Sequence, residues 1–192
     1  MKKSLTLLLF SCMFLASCGT AATTASCNKD YWDGTYGTCL PAGWVVMDKE
    51  TLAARGVPSE TVTAFKAEKS VSGQFPTITV TREVLTQPLT PADYSDASIR
   101  SVSVLPKYAL IDTKKVSIDG NEVSLHTFSS QPVESDPGRR FFQVSTVQDS
   151  VGYTVTAAVP MFIEDDLASQ ITLILESSTF VAPAEEEGES ST

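Results

Sequence analysis

Histidine is almost missing from this chain: one residue in 192, His126. That scarcity removes most catalytic and metal chemistry built on imidazole, because zinc sites and Ser-His-Asp relays depend on it. The sequence has no Gly-x-Ser-x-Gly, His-Glu-x-x-His, Gly-x-x-x-x-Gly-Lys or Gly-x-Gly-x-x-Gly. The signatures of a nucleophile elbow, a zinc hydrolase, a P-loop and a dinucleotide fold are therefore absent. Basic residues are also short, 14 Lys and Arg against 23 Asp and Glu for a net charge of −9. Such a balance disfavours nucleic acid or an anionic lipid surface as the main partner. Long apolar runs are lacking too, apart from one at the start. Apolar residues still reach 42%, enough for a packed core and, at this length, for one domain.

The single apolar run lies at the N-terminus. Lys2 and Lys3 precede eleven mostly apolar residues, Leu5 to Leu15. A spanning helix needs about twenty, so residues 1–17 read as a secretory signal. The run ends Leu15-Ala16-Ser17-Cys18, which resembles the lipobox of bacterial lipoproteins. The resemblance implies cleavage before Cys18, a diacylglyceryl thioether on its sulfur and an acylated new N-terminus. An ordinary signal peptide with a chance cysteine is the competing reading. Two or three acyl chains hold a protein stably on a bilayer. Gly19 after the lipidated residue resembles the outer-membrane default of a Gram-negative cell. Residues 18–26, the cysteine and a small polar stretch, form a tether.

Cysteine is scarce in a telling way. Cys12 leaves with the signal and Cys18 carries lipid, so Cys27 and Cys39 remain. Export places this close pair in an oxidising compartment, and a Cys27–Cys39 disulfide is expected. A metal or redox pair is the alternative, but further ligands and Cys-x-x-Cys spacing are both missing. The enclosed segment holds Tyr31, Trp32 and Tyr36, which present either a partner surface or a cover over one end of the core.

A body of residues 27–180 follows, and then a Glu-, Pro- and Ser-rich segment, 181–192, with the composition of a disordered acidic tail. Leu40-Pro41-Ala42-Gly43-Trp44 opens the body, with Val45 and Val46 extended. Asp48 offers an N-cap to a short helix stopped by Gly56. Pro58-Ser59 predicts a second short helix to about Glu68, with Val62 and Phe65 on one face. Residues 76–85 alternate Ile78 and Val80 with Thr79 and Thr81 and predict a strand. Thr90-Pro91-Ala92-Asp93 resembles a capping box, opening a helix to about Ser103 with Tyr94, Ile99 and Val102 toward the core. Residues 107–118 read as extended, Asp119-Gly120 as a hairpin turn, and Val123, Leu125 and Thr127 as one face of the return strand. Arg140–Gln148 and Tyr153–Val159 form a second hairpin. Glu164, Asp165 and Asp166 suit a helix N-terminus, and Leu167, Ile171, Ile174 and Leu175 give that helix its apolar stripe. The class is α+β, a central antiparallel sheet flanked by helices.

Several landmarks then line up. They are Leu40-Pro-x-Gly-Trp44, Ile78-x-Val80, Val116-x-Ile-Asp-Gly120, Phe141-Phe-Gln-Val144, Gly152-Tyr-Thr-Val-Thr156 and a closing helix running into Ser178-Thr179-Phe180. Over about residues 40–180 this order resembles the PsbP-like superfamily. That group includes small exported bacterial lipoproteins of unknown role, extrinsic photosystem subunits and a Ran-binding nuclear protein. The resemblance implies an α/β/α sandwich used for binding. It supplies no catalytic residues to carry over and no ground for photosynthetic activity.

Chemistry is otherwise thin. His126 on a strand reads as structural or surface. Glu164-Asp165-Asp166 lacks the spacing and glycine of an EF-hand loop, so no metal and no cofactor is expected. Trp44 reads as core, and Arg139-Arg140 as an exposed basic pair in a solvated loop. The expected function is non-enzymatic: a monomeric, membrane-anchored envelope lipoprotein that binds another envelope protein or assists assembly. The alternative is a small-ligand carrier for a lipid or peptide, which a deep apolar pocket would favour.

Overall fold

A computed structural model describes residues 25–54 and 56–183. Cys18, the segment before it and residues 184–192 lie outside the described residues. The chain runs β1 (Lys29–Trp32), β2 (Gly37–Leu40), β3 (Trp44–Val46), α1 (Lys49–Ala54), β4 (Thr61–Ala67), β5 (Thr77–Val84), α2 (Pro91–Val102), β6 (Ala109–Ile118), β7 (Asn121–Ser130), β8 (Arg139–Gln148), β9 (Val151–Pro160) and α3 (Asp165–Glu176). Seven strands form one antiparallel sheet in the order β3-β4-β5-β9-β8-β7-β6, and β1 and β2 form a separate hairpin. This is an α+β architecture.

Local signals place most of these elements. Thr90 caps α2 by accepting the Asp93 N–H at 3.1 Å, while its own hydroxyl donates to the Asp93 carboxylate at 2.7 Å. Pro91 then supplies a preset φ at the first helical position. Asp48 caps α1, accepting from both the backbone N–H and the hydroxyl of Thr51. The β6–β7 turn is Asp119-Gly120, with φ of 48° and 79°, the left-handed pair that a two-residue hairpin needs. The β8–β9 turn uses Asp149 and Ser150, at 50° and 62°, and β9 starts at Val151 rather than at Tyr153.

Strand alternation sorts the sheet into two unlike faces. One carries Ile78, Val80, Val155, Ala157, Phe142, Val144, Val123 and Leu125, all buried against Ile171, Ile174 and Leu175 of α3. The other carries Gln143 and Ser145 of β8, which reach Ser98 on α2. The helices thus lie on opposite faces, as the resemblance implied. The β1–β2 hairpin joins α3 on the apolar side: the Thr38 hydroxyl donates to the Ile174 carbonyl at 2.7 Å, and the Cys39 N–H to the Ser177 hydroxyl at 3.0 Å.

Two expectations are corrected. Residues 61–67 form strand β4 and not a helix. Val62 and Phe65 fit a helical face, but the run begins with three β-branched residues. It also pairs with β3 on one side and β5 on the other, so sheet hydrogen bonding on both edges overrides the local pattern. The segment between the cysteines is a hairpin in which Lys29, Asp30, Tyr31 and Trp32 pair with Leu40, Cys39, Thr38 and Gly37.

Candidate functional site

The residues singled out in the sequence do not converge. Cys27 and Cys39 are bonded, S–S 2.04 Å. Asp30 beside them completes a cluster of possible metal ligands, but sulfurs joined to each other are not available as thiolates. Tyr36 corrects the partner-surface reading: it is 0% exposed, tilted against Phe65 and Phe180, with its hydroxyl 3.0 Å from that of Ser178. Burial pushes that hydroxyl up to about 12, against the opposing hydrogen bonds of Ser178 and Thr38. Tyr31 is half-buried, edge-on to Phe65, its hydroxyl 3.0 Å from that of Thr63. Trp32 is half-buried over Gly37, where a Cβ would sit 2.8 Å from the indole. Tyr31 and Tyr36 fasten the hairpin to the core, and Trp32 packs within the hairpin.

His126 is 2% exposed, with Tyr108 at 2.9 Å from Nε2 and Thr113 at 3.0 Å from Nδ1. Burial lowers its pKa, and the ring stacks in a ladder with Phe128 and Tyr108. It is structural. Trp44 is buried in the core and donates its indole N–H to Gln170 at 2.9 Å. Asp165 and Asp166 occupy the first turn of α3, where the helix dipole favours them. Arg139 and Arg140 correct the loop reading: both are half-buried residues opening β8.

The concave feature lies elsewhere, where α2 fails to cover the sheet. This helix rests on β7 and β8. Strands β5 and β9, next in order, are left open on that side. Their outward residues are Thr77, Thr79 and Thr81 on β5 and Thr154 and Thr156 on β9, all half-buried. In register, Thr79 pairs with Thr156 and Thr81 with Thr154. Between one end of this strip, Thr81 and Thr154, and α2 lies an open cleft of about 620 Å³.

The cleft wall is organised by serine and tyrosine. Ser98 accepts from Gln143 Nε2 at 2.6 Å and from the Ser145 hydroxyl at 2.8 Å, and Ser145 lies 3.0 Å from the Thr154 hydroxyl. Ser95 accepts the Ser124 N–H at 3.1 Å. Helix and sheet are therefore joined here by hydroxyl and amide bonds in place of an apolar seam. Tyr94 is set on Gly152, where a Cβ would meet the ring at 2.4 Å, so only glycine allows the approach. Burial pushes the Tyr94 hydroxyl up to about 12; a hydrogen bond from Thr154 works against this and Glu83 adds to it. Glu60 and Glu83 form the charged rim, while Arg82, in register with the core residue Tyr153, sends its side chain to the opposite face. Among the described residues the ion pairs are Lys114–Glu176 and Lys115–Glu122, so Arg82 has no carboxylate partner.

Sequence reasoning missed this site. The available signal was a run of alternating threonines, Thr77, Thr79 and Thr81 on one strand and Thr154 and Thr156 on the other. The missing knowledge was where α2 would land.

No family model matches the chain, and no curated protein matches it. Solved structures do. One is a cyanobacterial PsbP from Synechocystis: TM-score 0.54, 16% identity, covering 87% of this chain and 99% of that one. Another is LpqN of Mycobacterium tuberculosis, described as involved in cell envelope biogenesis: TM-score 0.54, 13% identity, covering 77% of this chain and 85% of that one. The likeness at these identities is one of architecture, and it makes the fold of this chain PsbP-like.

Proposed function

We propose that the protein is an exported lipoprotein, anchored through Cys18, that serves the cell envelope as a non-enzymatic binding and assembly module. The observation that carries the binding role is the uncovered half of the sheet: a concave, hydroxyl-paved face with a charged rim, built on strands rather than on a mobile loop. Rigid elements hold binding groups in place at little entropic cost. Export is supported by the joined Cys27 and Cys39, since such cross-links persist in oxidising compartments. The envelope role described for LpqN points the same way. A lipid carrier is disfavoured, because lipid needs an enclosed apolar cavity and this cleft is open to solvent.

The test is cross-linking in cells from a photoreactive residue at position 81, in the wild type and in Cys18→Ala. The expected result is one dominant envelope adduct in the wild type, lost when the anchor is lost, with Cys18→Ala released from the membrane fraction. No adduct from position 81 while a surface control such as position 162 does cross-link would overturn the reading.

A further inference from the structure

We infer that the α2 cleft binds an uncharged saccharide chain, its sugar rings laid along the threonine strip of β5 and β9. This rests on the binding-module reading above and names the ligand class of the same site.

Four observations lead there. The floor offers hydroxyls, groups that both donate and accept. Two hydroxyls are poorly occupied: Thr81 in the cleft and Thr79 beyond it on the strip reach the carbonyls of Thr154 and Thr156 at only 3.4 and 3.5 Å, beyond the usual range for a hydroxyl donor. They can turn to a ligand at small cost. Each threonine also presents a methyl, so the strip is amphipathic at the scale of a sugar ring, which has C–H faces and a hydroxyl edge.

The groups along the rim are planar forks. The carboxylates of Glu60 and Glu83 can each accept twice. Adjacent hydroxyls on a sugar match that spacing. The Gln143 amide, fixed to Ser98 through Nε2, has no protein partner for its carbonyl oxygen among the described residues.

Charge decides against the main rivals. Two carboxylates make the rim negative, so phosphate or a polyanion is repelled. The cleft is open to solvent, so it cannot enclose an acyl chain away from water. The strip is also the face of central strands, not an edge, so an extended peptide has no free backbone groups there with which to add a strand.

The experiment uses the full chain in detergent micelles and three probes: chitotetraose, cellotetraose and maltotetraose, each titrated to 10 mM while backbone amide NMR signals are followed. The expected result is saturable shifts for at least one probe, concentrated on Thr79, Thr81, Gln143, Thr154 and the facing residues of α2. Glu60→Gln and Glu83→Gln, both on exposed side chains, should each weaken that binding five-fold or more without moving the thermal midpoint. Thr81→Val, isosteric and retained in the sheet, should weaken it similarly. A merely structural threonine strip would change stability and leave the shifts alone. No shift with any probe, or shifts scattered away from the cleft, overturns the saccharide assignment. If position 81 still captures an envelope protein in cells, the binding module stands and the ligand class is wrong. If both fail, the cleft is not the binding face.

Discussion

Tyr36 offers a quantitative test of how the hairpin is held, through Tyr36→Phe. Phenylalanine keeps the ring against Phe65 and Phe180 and deletes the hydroxyl that meets Ser178. Ser178 retains an acceptor for its own proton, the Ile174 carbonyl at 3.2 Å. The cost at neutral pH is thus about 1 kcal/mol, the net worth of one hydrogen bond. Alkaline pH reverses the order. The wild-type phenol ionises near 10.0 when unfolded and near 12 when buried. Its folded pKa is raised, so its stabilisation is complete below about pH 10 and is lost as pH rises toward 12. Two pKa units correspond to about 2.7 kcal/mol. Phenylalanine does not titrate, so the wild type falls relative to the variant by that amount. The two stability curves should cross near pH 11, where the linkage loss matches the cost of the missing bond, at roughly 1 kcal/mol. Guanidinium unfolding followed by far-UV circular dichroism, with short incubations between pH 7 and 12, reads this directly. All other residues are common to both proteins and cancel in the difference. Curves that stay parallel across that range would refute a buried phenol at position 36, and with it the docking of the hairpin into the core.

Three further outcomes are expected. Replacing Cys27 and Cys39 by serine opens a loop with a sequence separation of 12, worth about 3 kcal/mol on the chain-entropy model and a fall of about 6–12 °C in the midpoint of a domain this size; calorimetry showing no change would mean that packing alone holds the hairpin. His126 is buried neutral with a lowered pKa, so its contribution is complete above its unfolded value of 6.5 and is lost as pH falls toward the folded one; His126→Gln should flatten that acid limb, and an unchanged slope in a pH series of unfolding curves would count against it. Gly152→Ala forces Tyr94 off the strand and should cost about 1–3 kcal/mol as overpacking; adding Tyr94→Ala should make the double variant less destabilised than the sum of its parts, and simple additivity in denaturant midpoints would argue against the contact.

Much of the fold was legible because its signals are local. Thr90-Pro91 fixed where α2 begins, Asp119-Gly120 fixed the β6–β7 turn, and the Ile171, Ile174 and Leu175 stripe announced the buried face of α3. The elements that escaped depend on distant partners. Residues 61–67 become a strand because β3 and β5 flank them. The hairpin of the first cysteine segment docks on residues 174–180, more than a hundred positions away. The cleft was illegible for the same reason. Thr79 and Thr154 are ordinary strand residues until α2 settles over β7 and β8 and leaves them uncovered. Tyr94 was placed toward the core from helical spacing, but its seat on Gly152 follows from the sheet register.

The Gly37–Thr179 bridge sets an order of assembly. Gly37 and Thr179 exchange both backbone hydrogen bonds, at 2.8 and 2.9 Å, joining the two ends of the described chain. Synthesis runs from the N-terminus, so the hairpin exists long before Ser178, Thr179 and Phe180 emerge to close over Tyr36. Until then its aromatic face has no lid, and the domain cannot finish as a growing chain. Contacts of such wide sequence separation make folding slow. A chain that is cut just after α3 should lose the docking of its first hairpin along with the bridge at Thr179.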